Sequence, residues 1–525
     1  MSVIAPASAP ARLESGMTHR EVLEALSGLL LGMFVAILSS TVVSTALPEI
    51  IADLGGSQSS YTWVVTSTLL ALTVSTPVWG KLADLFDRKL LVQTGLAIYV
   101  GGSLLAGLSQ STSMLIGFRV VQGIGVGGLT ALVQVILADL VSPRERGRYA
   151  GYLGAVFGVG TVIGPLLGGI VTDSFGWRWC FYIGVPFAVA AFVVLQRTLH
   201  LPRNPRRDVS IDYLGATLIA GGVASLLIWV SLAGQQFAWG SWQTALLVAL
   251  GVALCTGAVW VERRVREPLV PLRLFADREV VLAVIASIAV GIAMFGTTVF
   301  LTQYMQIARD KSPTESGLLT IPMVAALFAS SMIIGRLVTR TGRYKGFMVL
   351  GASLLTVGLA LMGTIDETTN LAEIGVFMAI VGAGVGMVMQ NLVLVVQNSV
   401  RREDMGAGSS LVAFFRSLGG AIGVSVLGAV LATHARDTIA DGLRGLGADA
   451  SGLGGKGASG VPDVDALPAP VAHVVEHAFG TGIAEAFLFA APLGLVALIA
   501  LSLMRERPLG TKSGIQIAAE QAARV

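Results

Sequence analysis

Two short charged segments interrupt an otherwise apolar chain, and their spacing suits ion pairing and helix capping. The first, GKLADLFDRK, runs from Gly80 to Lys89 and sets Asp84 four residues before Arg88. In a helical turn that spacing brings an acid and a base face to face. Asp84 can equally cap the free amide groups of a neighbouring helix. The second segment, GRLVTRTGRYK from Gly335 to Lys345, repeats Gly80, Leu82 and Arg88 as Gly335, Leu337 and Arg343, at an offset of 255. It carries Thr339 where the first has Asp84, so a latch made by these segments is asymmetric. Arg119 stands alone inside an apolar run, about 9 Å from one end at 1.5 Å per residue. A charge at that depth has to be solvated or paired. HVVEH (His473 to His477) has the H-x-x-E-H zinc spacing, but it adjoins glycine-rich linker and lacks an evident third ligand, so no metal site is expected. GIGVGG (Gly123 to Gly128) follows no strand, which argues against a dinucleotide site. Cys180 and Cys255 lie in apolar runs and read as small buried hydrophobes rather than a disulfide or metal pair.

The elements that position these residues follow from composition. Of 525 residues, 54% are hydrophobic and only 13% charged; a soluble domain carries about a quarter charged residues. Mean hydropathy is +0.77. The 64 glycines suit close helix contacts in lipid. The chain reads as an all-α integral membrane protein. Runs long enough to span occur near 23–47, 61–80, 89–108, 114–138, 148–172, 179–197, 212–232, 244–262, 280–305, 316–338, 346–364, 371–399, 405–432 and 483–504, fourteen in all. They lack the alternation of a membrane barrel. Residues 1–22 are polar, and the first run is too long for a cleaved signal, so it is retained as a helix.

Charge placement supports the count. With the N-terminus cytoplasmic, most of the 35 lysines and arginines fall in inner segments. Outer loops keep only Arg178, Arg309, Lys311, Arg436, Arg444 and Lys456, while Arg119 and Arg416 lie within helices. Both termini are therefore expected on the cytoplasmic side of the cell membrane. One loop is long, 433–481, and its GLGADASGLGGKGASG reads as flexible linker.

A second register, offset by 259, lays Gly123, Gly125 and Gly127 on Gly382, Gly384 and Gly386, and Gly147, Gly160 and Gly164 on Gly406, Gly419 and Gly423. The organisation is then a tail (1–22), a six-helix bundle (23–200), a two-helix insertion with its linkers (201–278), a second six-helix bundle (279–504) and a tail (505–525). Paired repeats around a central cavity are the build of many secondary transporters.

GKLADLFDRK resembles the loop signature of the major facilitator superfamily, and fourteen helices point to its drug:proton antiporter branch. Asp87 stands where that signature usually has glycine; aspartate is among the residues least penalised in a left-handed backbone. RVVQGIGVGG (Arg119 to Gly128) resembles the branch's arginine motif. GAVFGVGTVIGPLLGG (Gly154 to Gly169) resembles its antiporter motif, with Gly154, Gly158, Gly164, Pro165, Gly168 and Gly169 as the matching positions. DLVSPRERGR, GWRWCFYIGVP, IDYLGA and SPTESGLLTIP are similar to further stretches of the same branch. The resemblance covers most of the chain except the tails and 433–481.

The resemblance implies a major facilitator fold of 6 + 2 + 6 helices and a transporter rather than an enzyme. It also implies efflux of hydrophobic or cationic drug-like compounds by alternating access, with protons as coupling ion and no other cofactor. A functional monomer amid membrane lipids, with no nucleic-acid partner, is expected. Export or flipping of one endogenous lipid or secondary metabolite is the alternative. Gly80, Asp84, Arg88, Lys89, Gly335 and Arg343 would form the cytoplasmic gate. One departure matters: in LSSTVVSTALP, Ser39 replaces the acid expected in helix 1. Arg119 then lacks its usual partner, and the remaining candidates for carrying a proton are Asp84, Asp139 and Glu485. The cavity candidates are Ser39, Ser40, Gln122, Gln134, Gln303, Gln390, Asn391 and Arg416 as polar groups. Met294, Phe295, Met323, Met387 and Met389 are the soft apolar ones.

Overall fold

The computed structural model describes residues 19–509 apart from 56–57, 142, 200–211, 234–236, 266–267, 269–270, 312, 402–403 and 446–467. A chain this apolar must satisfy its backbone amides internally, and helices do so within each span. The first bundle comprises α1 (His19–Asp53), α2 (Gln58–Leu85), α3 (Arg88–Gly107), α4 (Thr112–Leu140) and α5 (Pro143–Phe175). Its sixth span joins α6 (Trp179–Tyr182) to α7 (Gly184–Thr198). The insertion is α8 (Tyr213–Leu232) and α9 (Trp242–Glu262). The second bundle begins with α10 (Arg278–Gln303), which continues through a π-helical turn, Tyr304–Ala308. Next, α11 (Pro313–Leu319) and α12 (Ile321–Thr341) make one span, followed by α13 (Lys345–Met362), α14 (Leu371–Ser399), α15 (Met405–Gly445) and α16 (Ala469–Leu503). Among the described residues 13 helices are long and apolar enough to cross a membrane, and the shorter Leu214–Val230 in α8 completes the fourteen.

The internal repeat is legible in the packing. A side chain at Gly123 would meet the Thr68 carbonyl of α2, and one at Gly382 would collide with the Met323 backbone of α12. Gly125 lies against Tyr99 and Gly95 of α3, as Gly384 lies against Leu355 and Gly351 of α13. Gly127 faces Leu72 and Ser75, and Gly386 faces Leu327 and Ser330. Thr68, Leu72 and Ser75 precede Met323, Leu327 and Ser330 by the 255 residues that separate the two charged segments. Each bundle thus seats its fourth helix on its second and third by the same three glycines.

A Cβ at Gly125 would fall 2.6 Å from the Tyr99 nitrogen, and one at Gly384 2.7 Å from that of Leu355. Gly125→Val or Gly384→Val is therefore expected to destabilise by about 1–3 kcal/mol through overpacking. Gly101→Ala, where nothing lies within 4 Å, is expected to be neutral. Thermal unfolding of detergent-purified variants reads the difference.

The insertion does not stand apart. Val223 and Leu227 of α8 form a small core with Phe414 of α15, and Leu70 and Val74 of α2 pack against it. One inserted helix therefore straddles a seam between the two bundles.

The structure departs from the sequence expectations at two places. The segment 433–481 is helical as far as Gly445 and again from Ala469. A side chain at Gly442 would abut Val474, so the two helices stay paired as they run on. Only 446–467, including Lys456, lies outside the described residues. Asp87 is not left-handed: its φ is −63°, and its side chain accepts from the Lys89 and Leu90 amides as the N-cap of α3. The left-handed turn occurs in the second copy, at Gly342 (φ 70°), where it closes α12.

Candidate functional site

The Asp84 end of the molecule is closed across the two bundles. Asp84 is in the last turn of α2, and its carboxylate accepts from the Gly406 and Ala407 amides at 2.9 and 3.0 Å. Those amides are among the first of α15, where a helix has no internal acceptors and its dipole favours an anion. Gly80 lies one turn earlier and permits the approach, since a Cβ there would collide with Ser410 and crowd the Gly406 carbonyl. Arg88 donates through Nε to the Ala83 carbonyl at 3.0 Å and pairs with Asp139 at the end of α4. Lys89 Nζ donates to the Gln196 carbonyl of α7 at 2.9 Å. In the second copy Thr339 donates back to Gly335 of its own helix at 2.9 Å, and Arg343 is exposed. The helix-capping carboxylate is present in one copy alone.

Beyond this latch a polar layer joins the bundles. Gln134 of α4 donates to Gln390 of α14 at 3.2 Å. Gln397 of α14 donates to the Gln134 carbonyl at 3.3 Å and to Ser409 of α15 at 2.7 Å. Asn391 turns instead to its own helix, donating to the Met387 carbonyl at 2.7 Å. Further on lies a small apolar cavity of about 20 Å³. Its walls are Phe157, Gly158 and Thr161 of α5, Met294, Thr297 and Thr298 of α10, Met323, Val324 and Leu327 of α12, and Val381, Gly382 and Val385 of α14. Both bundles therefore contribute to it. Phe295 and Met387 do not line it: Phe295 packs on Gly420 of α15 and Met387 on Gly351 of α13. Met389 is buried in the second bundle's core.

Arg119 is 2% exposed and occupied. Its Nε donates to the Val64 carbonyl of α2 at 3.3 Å, and Nη1 to Gln122 Oε1 at 2.6 Å. Gln122 in turn donates to Ser103 of α3 at 2.7 Å. Among the described residues no carboxylate bonds to Arg119; the titratable neighbour acting on it is Tyr99. The Ser39 hydroxyl is buried and unbonded, while Ser40 donates within α1 at 3.5 Å. The site expected to hold an acid thus holds a serine, a tyrosine and a glutamine.

The antiporter-motif glycines serve two contacts. Gly154 and Gly158 face Ser331 and Val324 of α12 across the bundle divide, whereas Gly160 and Gly164 face Ile37 and Thr41 of α1. The Gly168 carbonyl receives the Cys180 thiol, and Gly169 faces open space. The side chain of Pro165 lies outside the described residues.

At the end far from Asp84, Glu485 of α16 pairs with His434 of α15, whose other ring nitrogen lies 3.1 Å from Thr481. His477 contacts Glu367 at 2.8 Å. Gln303 has a buried Oε1 without a partner, and the neighbouring Tyr304 donates to the Asp366 carbonyl at 2.5 Å. Arg309 donates to the Glu367 and Thr369 carbonyls, each at 2.7 Å. On the other bundle the Trp177 indole and the Arg178 guanidinium hold the Asp53 carboxyl below the usual range.

Sequence reasoning missed Tyr99, Ser103, Gln397 and Ser409. Gln397 and Ser409 were accessible to it, being polar residues inside apolar runs. Tyr99 and Ser103 were less so, since single residues of both kinds are common in membrane helices.

Residues 29–424 match the sequence profile described as Major Facilitator Superfamily. An uncharacterized MFS-type transporter of Mycobacterium tuberculosis (strain H37Rv) is 38% identical over 517 residues, covering 96% of this chain and 73% of that protein. A multidrug transporter protein of Bacillus subtilis (strain 168) is 35% identical, covering 85% of this chain and 78% of its own. A solved structure of a proton:xylose symporter superposes with a TM-score of 0.61 at 14% identity, covering 95% of this chain and 99% of that one.

Proposed function

The chain belongs to the Major Facilitator Superfamily, and on that footing we propose that it exports hydrophobic, drug-like small molecules across the cytoplasmic membrane in exchange for protons. The observation that carries this reading is the one-sided closure. A charged latch and a glutamine layer seal one end, and an apolar cavity walled by both bundles lies beyond them. A carrier that rocks two halves about a mid-membrane site requires a seal of this kind on one face at a time. The excess of basic residues in the segments on the Asp84 side supports a cytoplasmic reading of that side. The multidrug transporter among the relatives favours varied apolar cargo.

Proton coupling in this reading uses the latch carboxylates. Asp84 reaches α15 across the divide and Asp139 holds Arg88 within the first bundle, so gaining a proton at Asp84 weakens the seal directly. Glu485, engaged by His434 at the far end, has no such contact with the seal.

The test is transport by purified protein in liposomes with an imposed pH gradient. A lipophilic dye is expected to move against its own gradient only while the proton gradient persists, and an uncoupler is expected to stop it. Dye movement indifferent to the uncoupler would remove the proton from the reading. No movement of any dye would remove export.

A further inference from the structure

The spanning part of this protein is electrically lopsided. Asp84, Asp139, Asp212, Glu262, Glu279 and Asp404 each stand within a turn of a helix end. Glu485 is occupied by His434. Two guanidiniums remain in the interior of the spans, and Arg119 is satisfied by Val64 and Gln122. Arg416 is not: among the described residues no hydrogen bond, ion pair or charged neighbour engages it.

Its position says what it faces. Arg416 lies ten residues beyond Gly406 in α15, about 15 Å along the axis and so near mid-membrane. It is also seven residues beyond Ser409, which returns it to nearly the same face of the helix. Ser409 faces the glutamine layer through Gln397, which reaches α4 of the other bundle. Arg416 therefore stands on the stripe that looks toward the divide, two turns past the seal. Its backbone abuts Gly291 of α10, and Met294 of the cavity wall is one turn further along that helix. The residue is largely buried, with a minor part of its surface open. A charge at this depth needs a polar space or an anion beside it, and the described residues supply no anion.

We propose that Arg416 is the subsite for a negatively charged group on the cargo, a carboxylate or sulfonate carried on an apolar body. The cargo is then an amphipathic acid rather than a lipophilic cation. The apolar body enters by parting the Met294–Met323 walls, which enclose only a small space in this closed form, while the acid meets the guanidinium, whose planar fork suits oxyanions. A permanent cation in the same place would meet a like charge with no carboxylate to offset it. This rests on the export reading for the direction of movement, though not for the site itself.

A matched probe pair tests it. 1-Anilinonaphthalene-8-sulfonate and N-phenyl-1-naphthylamine share one apolar skeleton and differ by the sulfonate; ethidium serves as the cation. Fluorescence titration of the purified full chain reads binding, and gradient-driven movement in liposomes reads transport. The sulfonate is expected to bind more tightly than the amine. Arg416→Gln is expected to weaken the sulfonate about 10-fold or more, leave the amine within about twofold and abolish the preference. Arg416→Lys, which keeps the charge without the fork, is expected to retain an intermediate preference, which controls for folding. Equal sulfonate binding in the wild type and Arg416→Gln, or a wild-type preference for ethidium, overturns the assignment even where dyes are transported. Arg416-dependent sulfonate binding without gradient-driven movement upholds the subsite and overturns export.

Discussion

Arg119→Ala is expected to abolish measurable transport while leaving a folded protein. The guanidinium joins two helices and continues to a third: α4 carries it, α2 accepts its Nε at Val64, and Gln122 passes the contact to Ser103 of α3. Each hydrogen bond to a charged group contributes about 1.5–3 kcal/mol. Losing both therefore costs roughly 3 kcal/mol or more, on the order of a 100-fold loss in any step that needs this geometry. Folding is spared because the same three helices also meet through the glycine contacts at Gly123, Gly125 and Gly127. Arg119→Lys keeps the charge without the fork, and an intermediate rate is expected. Initial rates in proteoliposomes, set beside size-exclusion profiles in detergent, check both halves of the expectation. Ser39→Asp places a carboxylate on α1 where the hydroxyl is buried and unbonded. If Arg119 acts as an isolated cation, that substitution changes the pH dependence of transport.

The repeat was readable because close helix contacts admit only glycine, and glycine spacing survives in the sequence without any knowledge of the partner helix. Gly123, Gly125 and Gly127 announced their counterparts for that reason, and Asp84 was readable as a helix cap because a lone acid at the end of an apolar run needs a donor. The facing of apolar residues was not readable. Lipid and protein core are equally apolar, so a membrane helix carries little of the amphipathic signal that orients a soluble one. Met294 and Met323 reach the cavity, whereas Phe295 and Met387 pack against Gly420 and Gly351. The sequence grades all four alike. The 433–481 segment misled for a different cause. Its glycine-rich centre suggested one long loop, while helix α15 runs 41 residues to Gly445 because its flank pairs with α16. Helices held by tertiary contact outlast their local propensity.

Asp84→Asn is expected to slow turnover about 10-fold while shifting the apparent cargo affinity by less than about threefold. The carboxylate receives two amides of α15, at 2.9 and 3.0 Å. Asparagine offers one oxygen and no charge. Losing one of the two amide bonds costs about 0.5–1.5 kcal/mol and losing the charge at a helix N-terminus about 0.3–1 kcal/mol. The sum is near the 1.4 kcal/mol that changes an equilibrium tenfold. That loss falls on the sealed state alone, because the contact spans two bundles that separate when this face opens. Cargo affinity is spared because the cavity lies beyond the glutamine layer. Spin labels on the Asp84-side ends of α2 and α15 are expected to show the separated population rising in parallel with the loss of turnover. Gly80→Val reaches the same end by a steric route, since its side chain would strike Ser410, and it is expected to mimic Asp84→Asn without altering any charge. Unchanged turnover in both variants would move the seal elsewhere. The nearest alternative across the divide is the glutamine layer, where Gln134 meets Gln390 and Gln397 at 3.2 and 3.3 Å. Agreement between the two variants would show that helix contact, rather than the acid's charge as such, holds this face shut.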